Sequence, residues 1–176
     1  MDPYIALAKK TIETYLKSGQ MIESGTDLDK QLLNERKGVF ICFKNKGELR
    51  GCIGTFLPVY DNVAEEIINN TIAAASEDPR FLPITVEELK ELKITIDLLS
   101  EPEKVADNKI KSLDPKKYGI VVKSVDGFKS GLLLPDLEGV DTVAEQLRIT
   151  CQKAGLDPDK EKIVVYKFTV SRHEEK

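Results

Sequence analysis

Apolar residues at Ile5, Ala8, Ile12, Tyr15 and Leu16 recur at three- and four-residue intervals, which predicts an amphipathic helix at the start of the chain. Asp2-Pro3 supplies a cap with proline at the first helical position, and Gly19 a stop. The stretch to about Lys37 is polar, and within it DLDKQLLNERK admits a short helix. The pattern then changes period. VFICF (39–43) reads as a buried strand, NKGE as a turn and LRGCIGTF as the return, so residues 39–56 are expected to form an antiparallel hairpin. A second helix runs from a cap at about Asp61 to Ser76, with Val63, Ile67, Ala74 and Ala75 on its apolar side, and Pro79 ends it. Thr85 to Glu88 has capping-box spacing and starts a short helix. KITIDLLS alternates, with Ile94, Ile96 and Leu98 on one face of a half-buried strand.

Residues 101–117 are charged and loop-like, and could form a seam between two lobes of a single domain spanning 1–176. Beyond them YGIVV (118–122) is a strand, Asp126-Gly127 a hairpin turn and GLLLP the return strand. A third main helix spans about Thr142 to Ala154, stopped by Gly155, with Leu156 set for the accompanying apolar contact. IVVYKFTV (163–170) is the last strand, and SRHEEK reads as a frayed tail. Hairpins mixed with three main helices predict an α+β fold, a mainly antiparallel sheet in two subdomains sharing one core.

Charge narrows the function classes. The 26 Lys and Arg against 30 Asp and Glu give a formal net charge of −4, the wrong sign for a general DNA or RNA binder. No apolar run reaches the ~20 residues of a membrane span. MDPYIALAKK has an acid at Asp2 and no apolar core before a small-residue cleavage site, so it does not read as a signal peptide. The expected location is the cytoplasm. Three cysteines without CxxC spacing, and one histidine at 173, argue against a cysteine-rich zinc site. They predict three free thiols and no structural disulfide, although Cys42 and Cys52, as hairpin neighbours, are within each other's reach. Cys42 in VFICF and Cys151 at helical spacing from Val143, Ala144 and Leu147 both read as core residues.

Against this background LRGCIGT (49–55) is unusual, with an arginine and two glycines around a cysteine where a strand would carry branched apolar residues. Strand alternation puts Glu48, Arg50, Cys52 and Gly54 on one face and Leu49, Gly51 and Ile53 on the other. Arg50 would then hold a positive charge near Cys52, which favours the nucleophilic thiolate. Gly51 and Gly54 would leave the backbone bare, so that a ligand or another segment can come close. A plainer reading stands beside it: Cys52 as a small core residue, Arg50 paired with Glu48, and the glycines admitting a helix. Asp78 and Arg80 in EDPRF read either as a local ion pair at a helix stop or as a second cation joining Arg50 around an anion.

The string LRGCIG does not stand alone. KGVFICFKNKGELRGCIGTF, IAAASEDPRFLPIT, ELKELKITIDLLSEP, GLLLP and CQKAGL follow one another in the order that resembles the AMMECR domain family, also called AmmeMemoRadiSam system protein A. The family string falls on residues 49–54 without departure, and its DPRF element on Asp78 to Phe81. The resemblance implies a mixed α/β fold in two subdomains centred on that string, with no established activity or cofactor. It also implies a pathway shared with Memo-like and radical S-adenosylmethionine proteins. One departure is the short acidic DLEGVD after GLLLP, where relatives often carry a longer aromatic stretch.

Two readings follow. In the first, the protein is an enzyme or substrate-handling component. Cys52 is nucleophile or covalent carrier, Glu48 orients Arg50 or moves a proton, and Arg50, Gly51, Gly54, Asp78 and Arg80 bind the ligand. The substrate would be a small molecule, a peptide or RNA, and the reaction a group transfer. The chain has no three-cysteine cluster for radical chemistry of its own. In the second, LRGCIG shapes a groove for a peptide or protein, and Cys52 is inert.

Overall fold

The Asp2 carboxylate accepts hydrogen bonds from the backbone N–H groups of Tyr4 (2.9 Å) and Ile5 (3.2 Å), and so caps helix α1, Pro3–Ser18. At its far end Gly19, at φ 71°, turns the chain through the left-handed region and returns its N–H to the Tyr15 carbonyl. The computed structural model describes residues 2–25 and 27–175. A short helix α2, Lys30–Asn34, precedes the hairpin of β1, Gly38–Asn45, and β2, Glu48–Thr55. Helix α3, Val63–Ser76, follows. Its cap is Asn62, not Asp61: the Asn62 carboxamide oxygen accepts from the Glu65 N–H. A 3-10 helix over Val86–Lys90 leads into β3, Leu92–Leu99.

The segment expected to be a loop contains β4, Glu103–Lys104, and a 3-10 helix over Asp107–Ser112. Then come β5, Gly119–Ser124, β6, Ser130–Leu133, and α4, Val143–Ala154. Thr142 and Glu145 close a capping box on α4, and Gly155 ends it. Leu156 is buried there, its N–H on the Cys151 carbonyl at 2.9 Å. Strand β7 is Ile163–Phe168 and β8 is Val170–Glu174. Residues 171–174 of the expected frayed tail are therefore strand, and Lys176 of that tail lies outside the described residues. β8 lies at the edge of a sheet, the Asp97 carboxylate takes Arg172 Nε at 2.7 Å, and His173 Nδ1 lies 2.7 Å from Asp2 Oδ2.

The fold is α+β, with two four-stranded sheets in the orders β2-β1-β3-β8 and β4-β7-β5-β6. The chain divides into two units. One runs to Leu99 and takes up the chain again from Ser171; the other spans Ser100–Val170. Each has its own apolar cluster, where the sequence suggested one core shared by two lobes. In the first, Val39, Ile41, Phe43, Ile94, Ile96 and Leu98 of the sheet meet Ile67, Ile68 and Ala64 of α3 and Ile5, Ala8 and Ile12 of α1. Each such fully buried aliphatic side chain contributes about 1.5–3 kcal/mol. In the second, Ile120, Val122 and Val165 pack with Cys151 and Leu156, and burial pushes the Cys151 thiol up. No helix among the described residues is long and apolar enough to cross a membrane.

Gly51 is where β2 touches α3. A Cβ at this position would run into the Ala74 carbonyl oxygen, a backbone atom that yields only if the helix moves. Gly51→Ala is expected to cost about 1–3 kcal/mol, as overpacking does, read as a lower urea midpoint at unchanged slope. A midpoint equal to the wild type's would mean that β2 can slide off the helix.

Candidate functional site

β2 is the edge strand of the first sheet, so its outward N–H and C=O groups need partners from outside the ladder. At Cys52 they find them in the DPRF segment that follows α3. The Cys52 N–H donates to Asp78 Oδ2 at 2.9 Å, and Arg80 Nη2 donates to the Cys52 carbonyl at 3.3 Å. Arg80 in turn grips Asp78 through Nε (2.9 Å to Oδ1) and Nη2 (2.7 Å to Oδ2), while its backbone N–H reaches Oδ1 at 3.1 Å. Asp78 and Arg80 thus act together as a two-pronged side-chain clamp on the backbone of one residue of the edge strand. The Asp78 side chain is 3% exposed and that of Arg80 54%. The Arg80 hydrogen bonds hold the Asp78 carboxyl well below the usual carboxylate range, against the opposing effect of burial. Among the described residues Arg80 Nη1 carries no hydrogen bond, so part of the guanidinium faces outward unspent.

Arg50 is differently employed. The ladder pairs Phe43 with Gly51 and Lys44 with Leu49, so Arg50 is the extra residue of a β-bulge. The simple alternation that put Glu48, Arg50 and Cys52 on one face breaks at that point. Arg50 Nε and Nη2 make a two-pronged pair with Glu88 at 2.7 and 3.0 Å, and Nη1 and Nη2 donate to the Leu82 and Pro83 carbonyls at 2.9 and 3.2 Å. Four of the five guanidinium N–H groups are consumed. Arg50 is therefore a strut that ties the bulge to the loop before the 3-10 helix. Its carboxylate is Glu88, held below its ordinary pKa mainly by that bond. Glu48 is exposed at the start of β2. The Thr85–Glu88 capping spacing marked Glu88 as a helix-start residue, but nothing local linked it to a residue 38 positions away. Phe81 stands between the two arginines, its ring centroid 6.0 Å from Arg50 Cζ and 5.5 Å from Arg80 Cζ.

Of the two uses the strand pattern offered for the glycines, the structure shows close approach by another segment of the chain. Gly51 faces Ala74 of α3, and Gly54 faces the Phe40 ring and the Val39 carbonyl. Chain fills the room each one leaves. The larger correction concerns Cys52 itself, which is joined to Cys42 in a disulfide. The expectation of three free thiols fails because the register sets Cys42 directly opposite Cys52, with Cα atoms 4.1 Å apart, the close kind of antiparallel pair. Cys42 is half-buried on this face and does not belong to the apolar core. Only Cys151 keeps a free thiol, and it is buried. Among the described residues no group of three or more His, Cys, Asp or Glu stands together as a metal site.

Below the strand lies a carboxylate that sequence reading missed. Glu66 of α3 is fully buried. It accepts from Thr55 Oγ1 at 2.5 Å, from the Tyr60 N–H at 2.8 Å, from the Val59 N–H, and from Asn70 Nδ2 at 3.3 Å. Asn70 also donates to the Val39 carbonyl at 3.0 Å. The available signal was a polar Glu66–Asn70 pair four residues apart on an otherwise apolar helix face.

The family model for AMMECR1 matches residues 5–173. A Thermotoga maritima protein is 48% identical over 172 residues, covering 97% of each chain. A Clostridium acetobutylicum protein is 46% identical over 175 residues, which are 99% of this chain and 36% of that longer one. The crystal structure of an uncharacterized protein from Pyrococcus horikoshii superposes with a TM-score of 0.87 at 36% identity, covering 98% of this chain and 90% of that one. With nearly the whole sequence matched, and both clamp and strand inside the match, the chain belongs to the AMMECR1 family.

Proposed function

We propose that the edge of β2 at Cys52, with Arg80 beside it, is the working site of the protein, and that it takes a small ligand bearing an anionic or carbonyl oxygen. The observation that supports this reading is the clamp: a buried carboxylate and a half-exposed arginine are spent on fixing the backbone of one residue, and the arginine keeps Nη1 for something else. Preorganised donors of this kind suit charge that develops on an oxygen. With the bridge to Cys42 reduced, Cys52 is the candidate nucleophile for group transfer, and Arg80 is the cation that favours its thiolate. Arg50 positions the bulge through Glu88. Glu48 has no part in this reading, and Asp78 serves through Arg80. The pathway association with Memo-like and radical S-adenosylmethionine proteins rests on the family resemblance.

A second reading, a binding module for a peptide, draws on Leu82, which is 84% exposed in the same loop that holds Arg50. The two readings separate on the reduced protein, by site-resolved iodoacetamide labelling against pH. Cys52 is expected to label faster than Cys42 and Cys151. Arg80→Ala should move the Cys52 curve to higher pH and slow neutral-pH labelling by about threefold or more, while Arg80→Lys keeps most of the rate. Equal, slow labelling of all three thiols would transfer the site to the binding reading.

A further inference from the structure

Cys42 has no part in the proposed site as described above, yet it is the residue directly bonded to that site's sulfur. We propose that Cys42 and Cys52 form a reversible two-electron thiol–disulfide couple whose co-substrate is a small thiol of the glutathione class. This rests on reading the β2 edge as the working site, and adds to it a partner residue and a chemistry.

Three observations carry it. The pair is cross-strand and in register, so the ladder itself holds the two sulfurs opposite each other. Both residues are half-buried, and neither belongs to the apolar cluster that holds the first unit together. The bridge links two strands already joined by a ladder over seven paired positions, with only ten residues of separation. A loop this short lies at the low end of the stabilisation a disulfide gives, and the ladder joins the same two strands independently of the bond. The two sulfurs are also unequal. Cys52 is on the edge strand, while Cys42 is on β1, flanked by β2 and β3. Only Cys52 has a guanidinium at its own peptide.

The steps follow from that asymmetry. A thiolate RS⁻ attacks Cys52 Sγ; an R–S–S–Cys52 bond forms, the Cys42–Cys52 bond breaks, and Cys42 leaves with the electron pair and takes a proton from water. A second RS⁻ attacks the R sulfur of the mixed disulfide. RSSR departs, and Cys52 leaves as thiolate beside Arg80. Two thiols are oxidised and one disulfide is reduced. Run backwards, Cys52 attacks RSSR and Cys42 resolves the mixed disulfide. In the oxidised state Cys52 is withheld from group transfer; in the reduced state it is available.

The test uses the full-length protein equilibrated in glutathione buffers from reducing to oxidising, acid-quenched, alkylated and mapped by mass spectrometry. The wild type should pass reversibly from three alkylated cysteines to one, with Cys151 alone labelled at the oxidising end and the folded-state circular dichroism unchanged throughout. Cys42→Ser, lacking the resolving thiol, should accumulate one glutathione on Cys52. Cys52→Ser should accumulate far less on Cys42. Three free thiols in every buffer, or a bridge that glutathione and dithiothreitol open only after denaturation, would overturn the proposal. So would equal glutathionylation of the two serine variants. If the couple fails while Arg80 still governs Cys52 alkylation, this inference falls alone; if the couple cycles but Arg80→Ala leaves alkylation unchanged, the ligand-site reading falls instead.

Discussion

Glu66→Ala is expected to lower stability by about 3–5 kcal/mol, among the largest effects of any single side chain in the first unit. The Glu66 carboxylate is fully buried and stands where water would otherwise have to be. Its two oxygens accept from the Thr55 hydroxyl, the Val59 and Tyr60 backbone N–H groups and the Asn70 carboxamide. Alanine leaves these four donors facing apolar chain, and each buried donor without an acceptor costs about 1–3 kcal/mol. Part of that is recovered, because Val59 is 67% exposed and the loop after β2 can swing into solvent. The position near the start of α3 also favours a negative charge, through the positive end of the helix dipole. Glu66→Gln keeps the shape but turns an NH2 group toward donors, so it should recover only part of the loss. Urea denaturation reads the stability, and hydrogen exchange at Val59 and Tyr60 should quicken in both variants. A Glu66→Ala protein within about 0.5 kcal/mol of wild type would mean that the loop finds other acceptors.

The second large effect is at Asp78. Asp78→Asn removes the charge that Arg80 grips and turns one oxygen of the clamp into a donor facing either the Cys52 N–H or the guanidinium. A loss of about 2–3 kcal/mol is expected at pH 7, at the scale of charge-assisted hydrogen bonds to a buried group. The dependence on pH has a definite sign. Asp78 has a folded-state pKa depressed below its ordinary value of 3.8, chiefly by Arg80. The unfolded chain therefore binds the proton first as pH falls. The contribution of Asp78 is complete above the ordinary value and drains away below it, toward the depressed folded value. Wild type and Asp78→Asn should consequently differ most near neutrality and converge on acidification past 3.8. Urea midpoints at pH 7, 5 and 3 check this; a constant gap would assign the loss to shape alone.

Local patterns carried much of the architecture. Helix α1 with its Asp2 cap and Gly19 stop, the β1–β2 hairpin and the boxed and glycine-ended α4 are written in contiguous residues, where period and capping chemistry act within a turn or two. What escaped was set by pairing across the chain. The alternation that grouped Arg50 with Cys52 assumes an unbroken ladder, and one extra residue at Arg50 undoes it. The disulfide depends on register: Cys42 and Cys52 meet because Ile41 pairs with Ile53 and Phe43 with Gly51, a fact about two strands together. Glu88 reaches Arg50, and Asp78 reaches Cys52, across separations of 38 and 26 residues. The motifs grouped Arg50, Cys52, Asp78 and Arg80; in the structure Asp78 and Arg80 bond the Cys52 backbone, while Arg50 bonds Glu88. Their division of labour, strut against clamp, was visible only once the edge of β2 had been found. The tail misled for a related reason, since residues 171–174 have strand geometry only because the sheet offers them an open edge.

That last strand has a consequence for how the protein is made. The first unit is discontinuous: its sheet is completed by β8, which is reached only after residues 100–170 have built a second unit of their own. The ends of that inserted stretch are clasped together, Ser100 N–H to the Thr169 carbonyl at 3.0 Å and Thr169 N–H to Ser100 Oγ at 2.9 Å. On the ribosome, the β1–β2–β3 sheet therefore emerges with the far side of β3 unpaired and must wait, exposed, while the inserted unit is synthesised and closes on itself. The nascent chain passes through an interval in which its first sheet has a bare edge. Slow decoding late in the message, between Ser100 and Ser171, would lengthen that interval, whereas slow decoding ahead of Gly38 would not.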